Sequence, residues 1–452
     1  MGQQQGITSP GTLDPAFNKT GILEFPIPEI SGIEPSAVLA LPQGKLLTVI
    51  PLSGINAGYA VARLNADGSL DKEFGANKHG FVLVPLDTVQ DLSVFGISPA
   101  VNGGCLIVGQ AITDTSGGLL IMRHLPDGRL DTSLNETGIL YIPYEDFGSS
   151  GYKGVMAKGT PRDNKEADDA EQSSFASSTS ASVQADGKIL LLGNAIDEFG
   201  IPKGIVLRRH PDGSPDETFN GTGAALIELE GFAFEYSSSD GIELQADGRI
   251  LVCGSFYSND GQTAYVTRLT ATGRVDPDFN GGLAVTVFSP SLIRLRAMTV
   301  RESDGRVIAV GSAKMARGEP WKGLIVALNS TGSYNLPFNN GKPLFADFVS
   351  AGLSWEHCVT QANGSIVVSG FTGNGFVTKE LSILTARYLS DGSPDTTFNG
   401  TGFAVFDDDL FIESISGMSM KGTDRIFVCG ALWTDAESWP YISGGVLLCY
   451  RA

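Results

Sequence analysis

The sequence predicts an all-β fold, a seven-bladed β-propeller of four-stranded antiparallel blades, and three observations predict it. The first is a polar turn that recurs. "HPDGSPDETFNGTG" at 210–223 returns almost letter for letter as "YLSDGSPDTTFNGTG" at 388–402, and "GTLDPAFNKTG", "ADGSLDKEFGANKHG", "PDGRLDTSLNETG", "ATGRVDPDFNGG" and "STGSYNLPFNNG" are its relatives. The second is a hairpin signature between the turns, as in "LALPQGKLLTVI", "SVQADGKILLLG", "ELQADGRILVCG", "RESDGRVIAVG" and "TQANGSIVVSG", with looser forms in "PAVNGGCLIVG" and "MKGTDRIFVCG". The third is spacing. The acidic position of the turn falls at Asp14, Asp71, Asp131, Asp216, Asp276, Asn335 and Asp395, in steps of 57, 60, 85, 60, 59 and 60. Seven units of four short strands are the pattern of a propeller.

Within a unit the elements follow in order. An apolar run, a Gly-containing turn and a β-branched run form a hairpin. A third run follows, such as "YAVARLN" or "TAYVTRLT", then the repeated turn, then a fourth run such as "GILEFPI". The 3.6-residue period of a helical solenoid is absent. The C-terminal "SGGVLLCYRA" reads as a third strand, and the N-terminal "GTLDPAFNKTGILEF" supplies the missing turn and fourth strand. Ile22 to Phe25 are therefore expected to pair with Val446 to Tyr450, closing the ring and hiding its strand edges. The whole of 1–452 is expected to be one propeller domain, and the long step marks a polar, Ser-rich insertion at 148–178.

Arg63, Arg123, Arg208, Arg268 and Arg387 each stand eight residues before the acid of their turn, whereas Ala327 and Asn335 replace both members together in one copy. That joint change predicts an Arg–Asp brace at the corner, fixing geometry more than adding stability. The aromatic of the turn (Phe17, Phe74, Phe219, Phe279, Phe338, Phe398, with Leu134 in one copy) is expected to plug the gap between blades. The rival reading of the turn is a Ca²⁺ loop, from its alternating oxygen ligands. It lacks a closing bidentate acid, and Thr272 and Thr331 replace the first Asp, so no cofactor is expected. The "NGTG" and "NETG" pieces match glycosylation sequons, but Asn and Gly are also what such a turn needs.

The units resemble the delta-60 repeat family of bacterial proteins, whose "DGK" hairpin and "R…DGSLD..F" turn stand here in most copies and over nearly the whole chain. The resemblance implies a repeat type and carries no general activity, catalytic residue or cofactor with it.

Composition bounds the function. A hydrophobic share of 42% and a charged share of 18% describe a well-cored chain. A net charge of −19 without Lys/Arg clusters argues against nucleic acid and anionic membrane surfaces, and no apolar run reaches the length of a membrane span. No secretory signal is visible, and five cysteines within apolar runs read as buried thiols of a reducing compartment. The expected location is cytoplasmic, or outside the cell by a route without a signal peptide.

Strand parity gathers the variable connections, those from second to third strand and those between blades, on one face. Variable loops on a rigid frame are where binding resides. This places Trp321, Trp355, Trp433 and Trp439, with Tyr441 and Phe411 nearby, in loops of the last three blades. Exposed rings beside acids suit stacking on sugars or capture of a basic group. Asp407, Asp408 and Asp409 are the candidate cation ligands. The four histidines show no metal spacing, and neither a nucleophile elbow nor a phosphate loop stands in a convincing context. The expected function is non-catalytic recognition of a glycan or a protein surface. The alternatives are a carbohydrate-active hydrolase or lyase using loop carboxylates, and a structural part of a secreted complex or toxin.

Overall fold

Strands form where the apolar and β-branched runs lie, and Gly-rich turns end them. In a computed structural model, which describes residues 9–52, 58–145, 153–155 (backbone alone), 181–373, 381–408, 410–420, 425–434 and 441–452, these strands make seven antiparallel sheets. Blades 1 to 6 span 37–85, 89–143, 153–226, 236–289, 292–346 and 353–406, and blade 7 joins 411–451 to 22–25. The inner strand of every blade touches those of its two neighbours, and blade 7 touches blade 1, so the ring is closed.

Closure follows the expected route. Ile22–Phe25 pairs antiparallel with Ile442–Arg451, with Ile22 opposite Leu448 and Phe25 opposite Gly445. Leu13 bridges Tyr450, one turn further out.

Blade 3 departs from the pattern. Two segments share its inner position: Lys153–Val155 pairs with the Asn194–Ile196 end of the second strand, and Ala181–Val183 with the Ile189–Leu191 end. The insertion expected at 148–178 otherwise lies outside the described residues.

The repeated turn proves to be the joint between blades. Five Arg–Asp braces form, at 2.6 Å (Arg63–Asp71), 2.9 Å (Arg123–Asp131), 2.7 Å (Arg208–Asp216), 2.7 Å (Arg268–Asp276) and 2.8 Å (Arg387–Asp395). The hairpin adds a second cation in several blades: Lys45 to Asp71 at 2.7 Å, Lys188 to Asp216 at 3.2 Å and Arg249 to Asp276 at 3.1 Å. In blade 7 Cys449 occupies the Arg position, yet Asp14 is held by Arg451 at 2.9 Å and Arg425 at 2.7 Å. In blade 5, where Ala327 removes the cation, the amide of Asn335 turns to Asn329 instead, at 2.7 Å.

The same arginines reach the next blade. Arg63, Arg123 and Arg268 donate to the carbonyls of Pro126, Pro211 and Ser330 at 3.1, 2.6 and 2.6 Å. One backbone N–H of each turn also donates to the following blade: Asn18 to Asp67, Gly75 to Asp127, Asn135 to Asp212, Asn220 to Thr272, Asn280 to Thr331, Asn339 to Asp391 and Asn399 to Pro10. These bonds complete a circuit of the ring. Backbone groups that a turn would leave unpaired are thereby satisfied between blades.

Each aromatic plug seats against a glycine of the neighbouring turn. A Cβ on Gly273, whose φ is +85°, would meet the Phe219 ring at 2.8 Å, and Gly68, Gly128, Gly332, Gly392 and Gly11 face Phe17, Phe74, Phe279, Phe338 and Phe398 in the same way. Leu134 fills this place against Gly213. All seven plugs are 2% exposed or less, the burial expected of a joint rather than a loop. The turn's first acid is consumed locally, since Ser69, Ser214 and Ser393 donate hydroxyls to Asp67, Asp212 and Asp391 at 2.6–2.7 Å. The sequon asparagines are also engaged, for example Asn220 Nδ2 to the Ala224 carbonyl at 3.0 Å.

Candidate functional site

With the hairpins and repeated turns on the lower face, the upper face carries the links between blades and the second-to-third-strand loops. The upper end of blade 7 brings several expected residues together. Phe411 begins the inner strand opposite Thr434, whose N–H donates to the Tyr441 carbonyl at 3.0 Å. Tyr441 is 61% exposed, Leu410, on the link from blade 6 to blade 7, is 77% exposed, and Phe348, on the link from blade 5 to blade 6, is 41% exposed. Asp407 is exposed; Asp408 is half-buried and accepts the Leu410 N–H at 3.1 Å, which closes its own loop. Asp409 and Trp439 lie outside the described residues. Among the described residues no group of three or more His, Cys, Asp or Glu stands close enough to hold a metal ion.

Two tryptophans lie in strands rather than in the loops expected of them, and a third is buried within its loop. Trp355 is fully buried in the inner strand of blade 6, edge-on to Tyr388 at 6.3 Å. Trp433 lies in the second strand of blade 7, 9% exposed, and its Nε1 donates to Ser414 Oγ at 2.9 Å. Trp321 does occupy a loop, but is 5% exposed, with the Arg294 and Lys314 cations each 5.0 Å from its ring. The physical reason is strand length. The run "LSWEHCVT" carries charges that read as loop, yet its strand continues because Glu356 is bulged out of the ladder, and the second strand of blade 7 runs on past Trp433 to Thr434.

Those bulges build a feature that the loop argument missed. An extra residue interrupts the inner-strand register at Phe95, Asp240, Arg296, Glu356 and Ser416, in blades 2, 4, 5, 6 and 7. A bulge bends the strand and redirects one side chain out of alternation. Three of these side chains link successive blades: Arg296 lies 3.0 Å from Asp240 and 3.5 Å from Glu356, which is 1% exposed and accepts the Ser354 hydroxyl at 2.7 Å. The signal was available, because Asp240, Arg296 and Glu356 fall 56 and 60 residues apart, close to the repeat of the unit.

Glu413 is the other buried acid of this end. It is 0% exposed, and its Oε1 accepts the Asp408 N–H at 2.7 Å. Burial, reinforced by Asp407 and Asp408, pushes its carboxyl up to about 8. His357, next to the Glu356 bulge, is 8% exposed, and burial pushes it down to about 4, so the ring is neutral at physiological pH.

The family model described as "Domain of unknown function (DUF5122) beta-propeller" matches residues 54–74, 184–219, 245–279 and 361–398. Each matched segment ends on a plug, at Phe74, Phe219, Phe279 and Phe398. The chain is a β-propeller repeat protein. The copies outside the match include the terminal one, the one with Leu134 and the one that lost its brace, where the joint's chemistry departs most from the common form. No curated protein matches the sequence. Among solved structures, the polysaccharide lyase Uly1 aligns at 10% identity and a TM-score of 0.44, over 92% of this chain and 90% of that one. The β-propeller domain of the trilobed protease from Pyrococcus furiosus aligns at 10% and 0.41, over 91% and 97%. NanB sialidase from Streptococcus pneumoniae aligns at 10% and 0.43, over 94% and 70%. In the described residues no helix is long and apolar enough to cross a membrane.

Proposed function

We propose that this propeller, of the delta-60 repeat type, is a non-catalytic recognition protein whose upper face binds a protein surface. One observation carries the reading. The lower face spends its polar groups on joints between blades, while the upper ends of blades 5 to 7 leave Phe348, Leu410 and Tyr441 exposed, together with the acid Asp407. Exposed apolar side chains rimmed by charge mark interaction sites, and a chain of net charge −19 favours a partner with a basic rim. A glycan is the less favoured ligand, because three of the four tryptophans expected to stack on sugars are buried.

The test compares two variants. Phe348→Ser, Leu410→Ser and Tyr441→Ser together are expected to abolish capture of a stoichiometric partner, and added salt is expected to weaken capture by the wild type. Leu283→Ser with Leu336→Ser, exposed on the lower face, is expected to change neither. Retention by the upper-face variant, or loss with the lower-face one, contradicts the proposal. Glycan-array binding lost on Tyr441→Ala reassigns the ligand class.

A carbohydrate-active enzyme is the second reading, favoured by Asp240 and Glu356 sharing Arg296 between blades. Polysaccharide turnover that disappears in Glu356→Gln would establish it in place of the first.

A further inference from the structure

The lower ends of blades 3, 4 and 5 border an open groove of about 1160 Å³. Its wall sets Leu244 and Val300, from the inner strands, among the acids Asp186, Glu243, Asp247, Asp278 and Glu302 and the cations Arg249 and Arg268. Both cations are already committed. Arg268 braces Asp276 at 2.7 Å, and Arg249 reaches Asp276, Asp247 and Asp278 at 3.1, 3.0 and 3.2 Å. Asp186 has Lys188 at 3.5 Å. Glu243 and Glu302 are left over, for neither forms an ion pair among the described residues. Both keep surface open to solvent, Glu243 being half-buried and Glu302 exposed.

The repeat supplies a second and independent observation. Glu243 stands opposite Leu251, two places after Arg249 of its hairpin. Its counterparts in the other blades, opposite Leu47, Leu106, Leu190, Ile308, Val367 and Phe427, are Leu39, Ser98, Ser182, Thr299, Val359 and Ser419. The frame therefore does not need a carboxylate at this place, and blade 4 alone carries one. That carboxylate accepts a hydrogen bond from the Val300 backbone, which sets it against blade 5. Glu302 is a second departure. The hairpin of blade 5 is one residue longer than that of blade 4, with Val300 opposite Val307 where Leu244 stands opposite Ile250, and Glu302 lies in the enlarged turn. Partners within the frame account for the other acids of the groove, but for neither of these.

We infer that this groove docks a basic peptide segment, a lysine or arginine side chain of the partner reaching Glu243 and Glu302. Charge, wall chemistry and size each select this occupant. Two carboxylates without counter-cations are complementary to a cation, and Leu244 and Val300 beside them suit the aliphatic stem that carries it. Pockets for small molecules span about 300–1,000 Å³, so an open groove larger than these has room for an extended chain. The exposed hydroxyls of Ser330 and Thr331 in its wall offer partners to a peptide backbone. The groove lies on the face opposite the recognition surface proposed above and does not rest on that reading.

The test measures, by fluorescence anisotropy, binding of the full chain to a short acetylated and amidated peptide of alternating lysine and alanine. It is run on the alkaline side of Glu243, whose carboxyl burial lifts to about 7. Saturable binding is expected, and Glu243→Gln with Glu302→Gln is expected to weaken it by about tenfold or more, the worth of a charge-assisted hydrogen bond. Glu302 is exposed, so Glu302→Gln alone probes the site without touching the core and is expected to cost about threefold. Ala246→Lys, exposed on the hairpin of blade 4, is expected to weaken binding by repulsion. Glu24→Gln with Glu136→Gln removes the same charge from exposed places on blades 7 and 2 and is expected to change binding by less than about twofold. Equal losses from the two double variants, as for a polycation on an acidic surface, overturn the inference. Spermidine binding as tightly as the peptide overturns it as well, since a free polyamine would then be the occupant.

Discussion

Replacing Asp216 by alanine is expected to lower the stability of the propeller by about 3–5 kcal/mol, the cost of removing one partner from a buried ion pair. The side chain of Asp216 is fully buried, and two cations converge on it, Arg208 at 2.7 Å and Lys188 at 3.2 Å. Its other oxygen accepts the Thr218 hydroxyl at 2.6 Å. Without the carboxylate, Arg208 keeps only neutral partners and the Phe219 ring, 4.7 Å from its guanidinium carbon. The chain contains its own control. Blade 5 carries Ala327 and Asn335 where the others carry Arg and Asp, and its plug Phe338 is still 1% exposed. Copying that solution into blade 3, as Arg208→Ala with Asp216→Asn, is therefore expected to cost less than Asp216→Ala alone. Urea denaturation of both variants reads the difference; a double variant less stable than the single one would show that the brace contributes net stability instead of fixing geometry.

Acidification from pH 8.5 to 5 is expected to raise the thermal midpoint. Three carboxyls stand above their ordinary range: desolvation lifts Glu34 to about 7 and Glu243 to about 7, and Glu413 reaches about 8. For each the folded value exceeds the unfolded one, near 4.5, so the folded state binds more protons between the two. The stability this confers is complete below about 4.5 and falls until pH passes the folded value. Glu413 alone accounts for on the order of 4 kcal/mol over that window, at about 1.4 kcal/mol per pH unit. The corner aspartates act in the opposite sense at lower pH. Asp71, Asp131, Asp216 and Asp395 are held below their ordinary range by their arginines and hydroxyls, against the desolvation that opposes it. Their contribution is present above about 4 and is lost as pH falls through their folded values. The maximum is thus expected near pH 5. Glu413→Gln is expected to flatten the alkaline limb, whereas a wild-type midpoint that rises from pH 5 to 8.5 contradicts the assignment.

Most of the frame could be read from residues that repeat because a joint repeats. The acid, the arginine eight places before it, the aromatic three places after it and the turn glycine answer the same geometric demand in each blade. Their spacing therefore reported blade number, closure and the inter-blade plug. Half of the inner strand of blade 3 was illegible, because Lys153–Val155 falls in what reads as a polar insertion, far in the chain from Ala181–Val183, and is too short to show alternation. Trp355 was misplaced for a different reason. Charge inside a strand ordinarily marks its end, but a bulge lets Glu356 leave the ladder while the strand runs on. The same device hid Asp240, Arg296 and Glu356, which are adjacent only after the ring closes.

The central claim is that the repeated corners fasten a closed ring, leaving the upper face to recognition. Hydrogen exchange of the native full chain, resolved by peptide, tests it most directly. The turn amides of Asn18, Asn135, Asn220, Asn280, Asn339 and Asn399 are predicted to exchange together and late, the terminal corner at Asn18 among them, while the upper links around Phe348 and Leu410 exchange early. Early exchange at Asn18 with protection at the other five would mean that the ring opens at its termini, and upper links as protected as the corners would remove the distinction between frame and binding face.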